Sequence, residues 1–470
     1  MNSRYPEKVI DEKGQVHVLK DLLGEGGQGA VFRTADPSIA VKWIEDRSPV
    51  RRERLRAQLQ VVRSKLALPE MKELPIAHPH CLLKPPNVGY AMKLLTGMAA
   101  MSHLVRVPRG KPADVFDWYT AGGGLVRRLR ILARAAEVLN SLHAASLVYA
   151  DPSPNNIFVS SDPSAEEVYL IDTDNLHTQT ASGPAIYTPG FGAPELVKGR
   201  SGVNSLTDAH AFSVIAFWTL ALVHPLIGDF VHDGEPEMEE KALAGELPWI
   251  DHSTDGTNRT VRGLPRQFAL SVDLQRLARE AFEDGVNDPT RRPGLGKWAD
   301  LLHAAADITV LCPGCRWSYY FRTDAGMTRL CPRCDRPRPG CVLVTIQRWE
   351  PSRGDGPGKV VYRHADEKKR HLGVAGLVLG TEPLCLTARI TEALGGRAGR
   401  YSRLELTRVN RGVKVRVLGQ GDFWYSSEDG RESGVISTST TIPFQYRLHF
   451  GRKDEPHRVA IFFDVPEVRG

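Results

Sequence analysis

The fold class that the sequence predicts is α+β, in three consecutive parts. The first part, residues 15–305, begins with strand-like runs and continues with helical patterns. Two Cys-x-x-Cys pairs mark a second part at 308–340. Short alternating apolar runs separated by Gly, Asp and Asn predict a small all-β domain at 341–470.

Length and composition agree with a globular chain of several domains. At 470 residues the chain has room for about three domains, and 41% hydrophobic with 25% charged residues is ordinary for a soluble protein. The N-terminus lacks the basic-then-apolar order of a secretion signal, and the apolar run at 211–223 is too short to cross a bilayer. We therefore expect a cytoplasmic protein without a membrane segment.

One pattern in the first part points to chemistry. Residues 147–156 read LVYADPSPNN, and residues 170–174 read LIDTD. Asp151 would accept the proton of a hydroxyl nucleophile, while Asn156 and Asp172 would supply oxygen ligands to Mg²⁺ bound to a nucleotide. Because Asp and Asn are also common turn residues, the weight of this pattern depends on its neighbours.

A glycine-rich stretch precedes it. Residues 23–31 read LGEGGQGAV, in which Gly24, Gly26 and Gly29 would let a hairpin backbone approach phosphates and Val31 would cover one face of a base. Lys42 ends an apolar strand-like run and could reach the α- and β-phosphates. Taken alone, such glycines equally suit an ordinary turn. A dinucleotide-binding fold is disfavoured because a strand-like run, not a helix start, follows Gly29.

Three further elements follow in order. Residues 187–195 read YTPGFGAPE, Asp208 lies in an apolar helical run, and residues 288–293 read DPTRRP. A buried Glu195 needs a partner, which Arg292 would supply. With these elements the chain resembles the eukaryotic-like Ser/Thr protein kinase family over residues 15–305.

The resemblance implies a bilobal protein kinase-like fold, with an N-lobe at 15–95 and a C-lobe at 96–305, that uses ATP and Mg²⁺. It assigns the phosphate-covering loop to the three glycines, the catalytic base to Asp151 and the metal ligands to Asn156 and Asp172. It also implies the following roles: strand lysine for Lys42, gatekeeper for Met92, hinge for Lys93 to Leu95, a bond to the base for Thr188, the end of the activation segment for Glu195, and support of the catalytic loop for Asp208. Thr188 favours Ser or Thr over Tyr as the acceptor.

The chain departs from the family pattern at several positions. Tyr149-Ala150 replaces His-Arg before the base, so we expect activity that does not strictly depend on loop phosphorylation. Ser153 replaces a lysine. Asp174 either adds a carboxylate near the metals or caps a turn. The acidic partner of Lys42 is unclear; Glu53, in a basic amphipathic helix with Leu55, Leu59 and Val62 on one face, is assigned to it, although an exposed position for Glu53 is nearly as plausible.

Helical spacing recurs in the large lobe. Residues 124–142 and 270–282 place apolar side chains on one face, and residues 211–223 are apolar enough for a buried central helix. Residues 229–265 are rich in acids, Gly and turn residues and predict a surface loop.

The cysteine pairs predict a structural metal site. Cys312, Cys315, Cys331 and Cys334 have the spacing of a four-thiolate zinc ribbon, which leaves no coordination position open for water. The two Cys-x-x-Cys pairs also favour metal binding in a reducing compartment over disulfide formation. The ribbon is rich in Arg, Trp and Tyr, a composition that is compatible with nucleic-acid contact. The favoured interpretation is a structural link between domains whose basic side chains are solvated.

The last part predicts strands and says little about chemistry. Apolar alternation at 342–346, 404–409, 413–418, 443–450 and 459–463 describes a small β-sandwich or barrel. Its 21 Lys and Arg against 15 acids account for the formal +6 of the chain. This excess could favour an acidic or phosphorylated partner, and a packing or protein-interaction module is the alternative.

Within the family, the ADPSPNN and IDTDN motifs and the trailing ribbon resemble bacterial kinases found beside a PP2C-type phosphatase and a von Willebrand A protein in tellurite-resistance-type gene neighbourhoods. That resemblance implies these two as partners or substrates. Our first hypothesis is an active Ser/Thr kinase. The alternative is a nucleotide-binding pseudokinase scaffold that recruits partners through the ribbon and the β-domain, and nucleic-acid binding is a minor third.

Overall fold

The computed structural model describes residues 5–26, 29–45, 48–107, 115–178, 186–323, 325–353, 360–364, 375–380, 382–387, 402–427, 430–451 and 458–465. The chain divides into two compact units, residues 1–302 and 303–470. Both α-helices and β-sheets are present, in keeping with the α+β class.

The first unit begins with a sheet and a helix that packs on it. The strands of this sheet are β1 (Lys8–Ile10), β2 (Val16–Gly26), β3 (Gly29–Thr34), β4 (Ile39–Ile44), β5 (Cys81–Leu82) and β6 (Val88–Lys93). They pair antiparallel in the order β1-β2-β3-β4-β6-β5. Helix α1 (Pro49–Leu66) buries Leu59 against Ile44, Val88 and Tyr90 of the sheet, so the predicted apolar face of this helix is the one that packs. A short helix α2 (Pro69–Lys72) follows.

Short strands then surround the predicted chemical motif. They are β7 (Met98–Ala100), β8 (Leu147–Val148), β9 (Ile157–Ser160), β10 (Val168–Leu170) and β11 (His177–Thr178). Strand β9 pairs with β7 and β10, and β8 pairs with β11, all antiparallel. A 3-10 turn, Thr173–Asn175, separates β10 from β11.

α-Helices make up most of the rest of the first unit. They are α3 (Ser102–Val105), α4 (Val115–Ala121), α5 (Gly124–Ala144), α6 (Pro194–Val197), α7 (Ser205–Ala221), α8 (Asp229–His232), α9 (Pro236–Leu243), α10 (Arg266–Ala269), α11 (Val272–Arg279) and α12 (Leu295–Asp307), which runs across the boundary between units. Helix α7 is buried along nearly its whole length, as expected for an apolar central helix.

The surface loop predicted at 229–265 is partly wrong, because α8 and α9 lie within it. Ala242, Trp249, Ile250 and Leu264 of this segment are buried. These apolar residues are too sparse to give a periodic sequence pattern, yet they anchor the segment to the core.

The second unit consists of strands after α12, within the part that the structure describes. The first four form two small hairpins: β12 (Thr309–Leu311) with β13 (Ser318–Tyr320), and β14 (Arg322–Thr323) with β15 (Gly326–Met327). The others are β16 (Val342–Arg353), β17 (Val360–His364), β18 (Ala375–Leu379), β19 (Leu384–Thr387), β20 (Ser402–Val409), β21 (Gly412–Val417), β22 (Phe423–Ser426), β23 (Ser433–Val435), β24 (Ser439–Pro443), β25 (Arg447–Phe450) and β26 (Arg458–Asp464).

These later strands form two sheets around one core. One sheet has the order β17-β16-β26-β25-β22-β23 with β18 added on β16, and the other has the order β19-β20-β21-β24. A single cluster of buried side chains draws on both, including Val344 and Ile461 from the first and Leu406 and Val415 from the second. Packed sheets of this kind require the period-two alternation that the sequence displays.

The predicted single run at 443–450 is wrong in one respect. It contains a reversal: β24 ends at Pro443, the backbone N–H of Tyr446 donates to the carbonyl of Pro443 at 3.0 Å, and β25 begins at Arg447. A turn with apolar residues on both sides looks like a continuous strand in the sequence.

Among the described residues, no helix has both the length and the apolar character needed to span a membrane.

Candidate active site

The two metal-ligand candidates leave the same end of a hairpin. Asn156 immediately precedes β9 and Asp172 follows β10 after one intervening residue, and Ile157 pairs with Leu170. The backbone N–H of Ile171 donates to the carbonyl of Asn156 at 3.0 Å, which closes this end. The antiparallel pairing therefore brings a carboxamide and a carboxylate together from positions sixteen residues apart in the sequence.

Asp151 is held by the residues expected to surround a base. One carboxylate oxygen accepts from the backbone N–H of Thr188 at 2.7 Å and from its hydroxyl at 2.8 Å. The other accepts from the side-chain amide of Asn156 at 3.3 Å, and the same amide donates to the Asp151 carbonyl at 3.0 Å. Two donors on one oxygen fix the orientation of this carboxylate.

Lys42 lies between two carboxylates. Its Nζ contacts Oδ1 of Asp172 and lies 2.6 Å from Oδ1 of Asp174. Burial acts to lower the pKa of Lys42, but the carboxylates of Asp174 and Asp172 outweigh it and leave this pKa raised, so the lysine is charged. One cation against two anions gives the trio a net formal charge of about −1. This excess suits the addition of a further cation.

Two residues around Asp174 had not been predicted to belong to the site. The hydroxyl of Tyr90 donates to Oδ1 of Asp174 at 3.1 Å, and Nε2 of Gln58 donates to its backbone carbonyl at 3.0 Å. One sequence signal could have identified Gln58: it is a polar residue inside the apolar face marked by Leu55 and Leu59. Asp174 is buried within an ion pair, so it does more than cap a turn.

The expected Lys42–Glu53 pair is wrong. Glu53 is exposed on α1, whereas the ammonium of Lys42 contacts Asp172 and Asp174. The physical reason is helix phase. Glu53 and Gln58 are five residues apart, which places them about 140° apart around the axis, and it is Gln58 that faces the site.

Asp208 supports the loop that carries Asp151. It lies in the first turn of α7, whose N-terminus is capped by the side chain of Asn204. Its carboxylate accepts from the backbone N–H of Tyr149 at 2.7 Å, from the N–H of Ala150 at 2.9 Å and from Nε2 of His143 at 2.9 Å. Ala150 has a φ of 75°, a left-handed conformation that these bonds help to hold.

Tyr149 and Ser153, which depart from the family pattern, are both buried. The Tyr149 hydroxyl donates to the carbonyl of Ile171 and lies 3.2 Å from the carbonyl of Asn156. It thus ties the loop before Asp151 to the hairpin end that carries Asp172. The Ser153 carbonyl accepts from the N–H of Asn156 at 3.0 Å, which makes Ser153 part of the turn.

Glu195 and Arg292 form a buried bidentate ion pair. The two guanidinium nitrogens lie 2.6 and 2.7 Å from the two carboxylate oxygens. The Arg292 side chain is 1% exposed, and its Nε donates to the carbonyl of Gly285 at 2.7 Å. A pair with this geometry fixes α6 against the segment after α11.

The glycine-rich hairpin belongs to β2 and β3. Gly24 and Gly26 are exposed, and a Cβ added at either would meet no atom of the described residues within 4 Å. Gly29 has a φ of 148°, and a Cβ there would lie 2.2 Å from the carbonyl oxygen of Trp43. Val31 pairs with Lys42 across the β3–β4 ladder.

The candidate gatekeeper and hinge lie at the end of β6. Met92 pairs with Ala40 and is partly buried, Lys93 is exposed, and Leu95 is partly buried. The N–H of Leu94 donates to the carbonyl of Ser38 at 2.8 Å, which attaches this segment to the turn before β4.

A second candidate site, in the other unit, contains the four predicted cysteines. Their Sγ atoms all lie within 4.8 Å of one another, with separations of 3.6 Å for Cys312–Cys334 and for Cys315–Cys331. Four sulfurs at about 2.3 Å from a tetrahedral Zn²⁺ are about 3.8 Å apart, so the cluster fits this ion. Burial acts to raise the pKa of the Cys312 thiol, but backbone hydrogen bonds outweigh it and bring this pKa down to about 7.

The two Cys-x-x-Cys turns, here called knuckles, begin at Cys312 and Cys331 and share one backbone conformation. The N–H groups of Arg316 and Asp335 donate back to the carbonyls of Cys312 and Cys331, at 3.1 and 2.9 Å. Arg316 and Asp335 have φ values of 60° and 54°, in the left-handed region. The repetition indicates that both turns serve the same purpose, which is to present two thiols each.

The known proteins that the chain resembles include bacterial Ser/Thr protein kinases, at low identity. No family model matches the chain. It is 25% identical over 336 residues to the serine/threonine-protein kinase PknH of Mycobacterium tuberculosis, a match that covers 67% of this chain and 48% of PknH. It is 26% identical over 198 residues to the serine/threonine-protein kinase Pkn2 of Myxococcus xanthus (40% and 22%), and 27% identical over 184 residues to the serine/threonine-protein kinase AfsK of Streptomyces coelicolor (38% and 21%).

The relatives are therefore bacterial Ser/Thr protein kinases at low identity. The chain spans about half the length of PknH and about a fifth of Pkn2 and AfsK. The likeness supports a kinase in general terms and leaves the roles of individual residues to be argued from their geometry.

Proposed function

We propose that this chain is an ATP-dependent Ser/Thr protein kinase in which Asp151 is the base. The observation that carries the proposal is the contact of Lys42 with Asp172, two residues that are 130 positions apart in the sequence. Thr188 separately orients the carboxylate of Asp151, the proposed base. Relatives that are Ser/Thr kinases support the same reaction class.

In the proposed reaction, the hydroxyl oxygen of a Ser or Thr forms a bond to the γ-phosphorus of ATP. The bond between this phosphorus and the β–γ bridging oxygen breaks, ADP leaves, and the hydroxyl proton passes to Asp151. Because Thr188 donates two hydrogen bonds to one oxygen of Asp151, the carboxylate has a fixed orientation before the acceptor arrives. This arrangement contributes through positioning.

Asn156 and Asp172 are the residues that would hold Mg²⁺. The Asp172 side chain is 30% exposed, whereas that of Asp174 is 2% exposed, so Asp172 is the carboxylate open to an arriving ion. The amide nitrogen of Asn156 is engaged by Asp151, which leaves its oxygen to serve as a ligand. When bound, Mg²⁺ neutralises the charge of the phosphate oxygens.

The remaining nucleotide contacts follow from position. Gly24, Gly26 and Gly29 would cover the phosphates, Lys42 would contact the α- and β-phosphates, and Val31 would cover the base. Met92, Lys93 and Leu95 would line the opposite side of the nucleotide as gatekeeper and hinge. The open space over Gly24 and Gly26 supports a close approach of the phosphates.

The test is transfer of label from γ-labelled ATP with Mg²⁺ to a generic basic protein, comparing the wild type with Asp151→Asn. We expect the wild type to label the substrate or itself, and Asp151→Asn to lose about 100-fold or more, the size of a typical general-base contribution. Tight ATP binding without transfer by either protein would instead support the pseudokinase scaffold, for which Ser153 in place of a lysine is the favouring observation.

We further propose that Cys312, Cys315, Cys331 and Cys334 hold one structural Zn²⁺ in a zinc ribbon at 308–340. The four converging thiols and the repeated knuckle conformation support this. All four ligands come from the chain, so the ion would stabilise the fold and leave no position for a reactive water.

The partner of the active site would be a protein presenting a Ser or Thr. The von Willebrand A-type protein and the PP2C-type phosphatase implied by the sequence resemblance are the candidates to test first. They are tested as substrates of the same labelling reaction and, for the phosphatase, by removal of label from the kinase. The β-rich region at 341–470 is proposed to bind such a partner.

A further inference from the structure

The lysine on β4 has its anionic partner on the segment after β10. Lys42 Nζ lies 2.6 Å from Oδ1 of Asp174, and the two side chains are 6% and 2% exposed. The only acid assigned to this role on α1, Glu53, is exposed. A charged lysine this deeply buried requires a fixed anion close by.

Asp174 is held from two sides. Tyr90 lies opposite Lys42 in the β4–β6 ladder. Its hydroxyl donates to Oδ1 of Asp174 at 3.1 Å. From α1, Nε2 of Gln58 donates to the backbone carbonyls of Asp174 at 3.0 Å and of Leu176 at 3.3 Å. Helix α1 thus fixes the segment through an amide, and the segment supplies the charge.

The two carboxylates that contact Lys42 differ in exposure. The Asp172 side chain is 30% exposed, so part of its carboxylate is open to solvent. Asp174 is enclosed within a 3-10 turn whose residues are all buried. A metal ion arriving from solvent can therefore reach Asp172, whereas it cannot reach Asp174 unless the site opens.

We propose that Asp174 is the positioning residue for Lys42, in place of an acid on helix α1. Its carboxylate holds the ammonium beside Asp172, so that the lysine and the exposed metal-ligand candidate are fixed by one short segment. This inference rests on the proposed function, and it adds that the lysine is aligned without any acidic residue of α1. Two experiments test it, one without nucleotide and one with it.

The first is a double-mutant cycle on thermal unfolding of the full chain, with wild type, Lys42→Met, Asp174→Asn and the double variant, all without nucleotide. We expect Asp174→Asn to lower the melting temperature of the wild type and to raise that of Lys42→Met. In the Lys42→Met background, Asp174→Asn neutralises a buried carboxylate that has lost its cationic partner. Equal shifts in the two backgrounds would overturn the proposal.

The second experiment measures phosphoryl transfer and separates kcat from the KM for ATP. We expect Asp174→Asn to lower kcat by about 100-fold, the cost of misplacing a group at the site. Asp174→Glu keeps the carboxylate and should be more active than Asp174→Asn. An Asp174→Glu variant no more active than Asp174→Asn would assign the loss to disturbed packing and overturn the positioning role.

The matched control is Asp21→Asn, the same chemical change on β2 at a side chain that is 82% exposed. It should behave as the wild type in both experiments. Wild-type kinetics in Asp174→Asn together with a loss in Glu53→Gln would return the role to α1 and overturn the proposal. If the wild type transfers no phosphate, the proposed function fails, and the nucleotide-free cycle still decides whether Lys42 and Asp174 are coupled.

Discussion

At the scale of single residues, the loop before Asp151 depends on one carboxylate. Asp208 accepts from Tyr149, Ala150 and His143, while Ala150 is held at a φ of 75°. We predict that Asp208→Asn destabilises the first unit by about 1–3 kcal/mol, because an amide has one acceptor oxygen and leaves a buried donor unpaired. Denaturant unfolding measures this, and the transfer assay should show reduced activity.

The control is Ala150→Gly. Glycine adopts a φ of 75° without the steric cost that alanine bears there, so it should restore part of the stability lost in Asp208→Asn. If Asp208→Asn unfolds at the same denaturant concentration as the wild type, the three hydrogen bonds do not hold this loop.

The residue scale also separates what sequence can predict from what it cannot. For Asp151, Asn156 and Asp172, residue type and spacing in a local pattern are enough to predict a base and two metal ligands. The partner of Lys42 does not, because ion-pair partners are chosen by the three-dimensional packing of distant segments. The helical phase of α1 carries one clue, since it separates Glu53 from the apolar face that contains Gln58 and so argues against this acid as the partner.

At the scale of elements, the glycines of the β2–β3 hairpin have different roles. Gly29 cannot carry a side chain, since its Cβ would overlap the Trp43 carbonyl oxygen, whereas Gly24 has open space. We predict that Gly29→Ala destabilises the fold by more than about 1 kcal/mol, and that Gly24→Ala leaves unfolding unchanged but weakens ATP binding. Thermal unfolding and ATP titration of both variants measure these effects.

An equal loss of stability in the two glycine variants would contradict this division. Unchanged ATP affinity in a stable Gly24→Ala would remove the argument that phosphates approach this backbone. The family pattern marks both positions in the same way, so only the surrounding atoms distinguish a glycine required by the fold from one left free for a ligand.

Regular elements were predictable where one periodicity persists. Helix α5 and strand β21 follow from spacing alone, because each buries one continuous face. Prediction failed where an element changes direction within an apolar run, as at 443–450, or where a few scattered contacts anchor a polar segment, as at α8 and α9. Local patterns report which residues are buried, and they do not report where the chain turns.

At the scale of the whole molecule, the two units contain different candidate sites. Residues 1–302 contain Lys42, Asp151 and Asp172, and residues 303–470 contain the four clustered cysteines. Units with separate cores commonly unfold in separate transitions, and a ligand raises the melting temperature of the unit that binds it. ATP with Mg²⁺ and Zn²⁺ are therefore expected to act on different transitions.

We predict that the purified chain contains about one zinc ion and that its removal by a strong chelator lowers one unfolding transition, that of residues 303–470, because structural zinc contributes folding free energy. Elemental analysis and calorimetry measure the two effects, and ATP with Mg²⁺ should raise the other transition. Cys315→Ser should reproduce the chelator effect, whereas Cys385→Ser, at an exposed cysteine outside the cluster, should not. A metal-free preparation with the same transitions as the zinc-loaded chain would show that the four thiols do not form a structural zinc site.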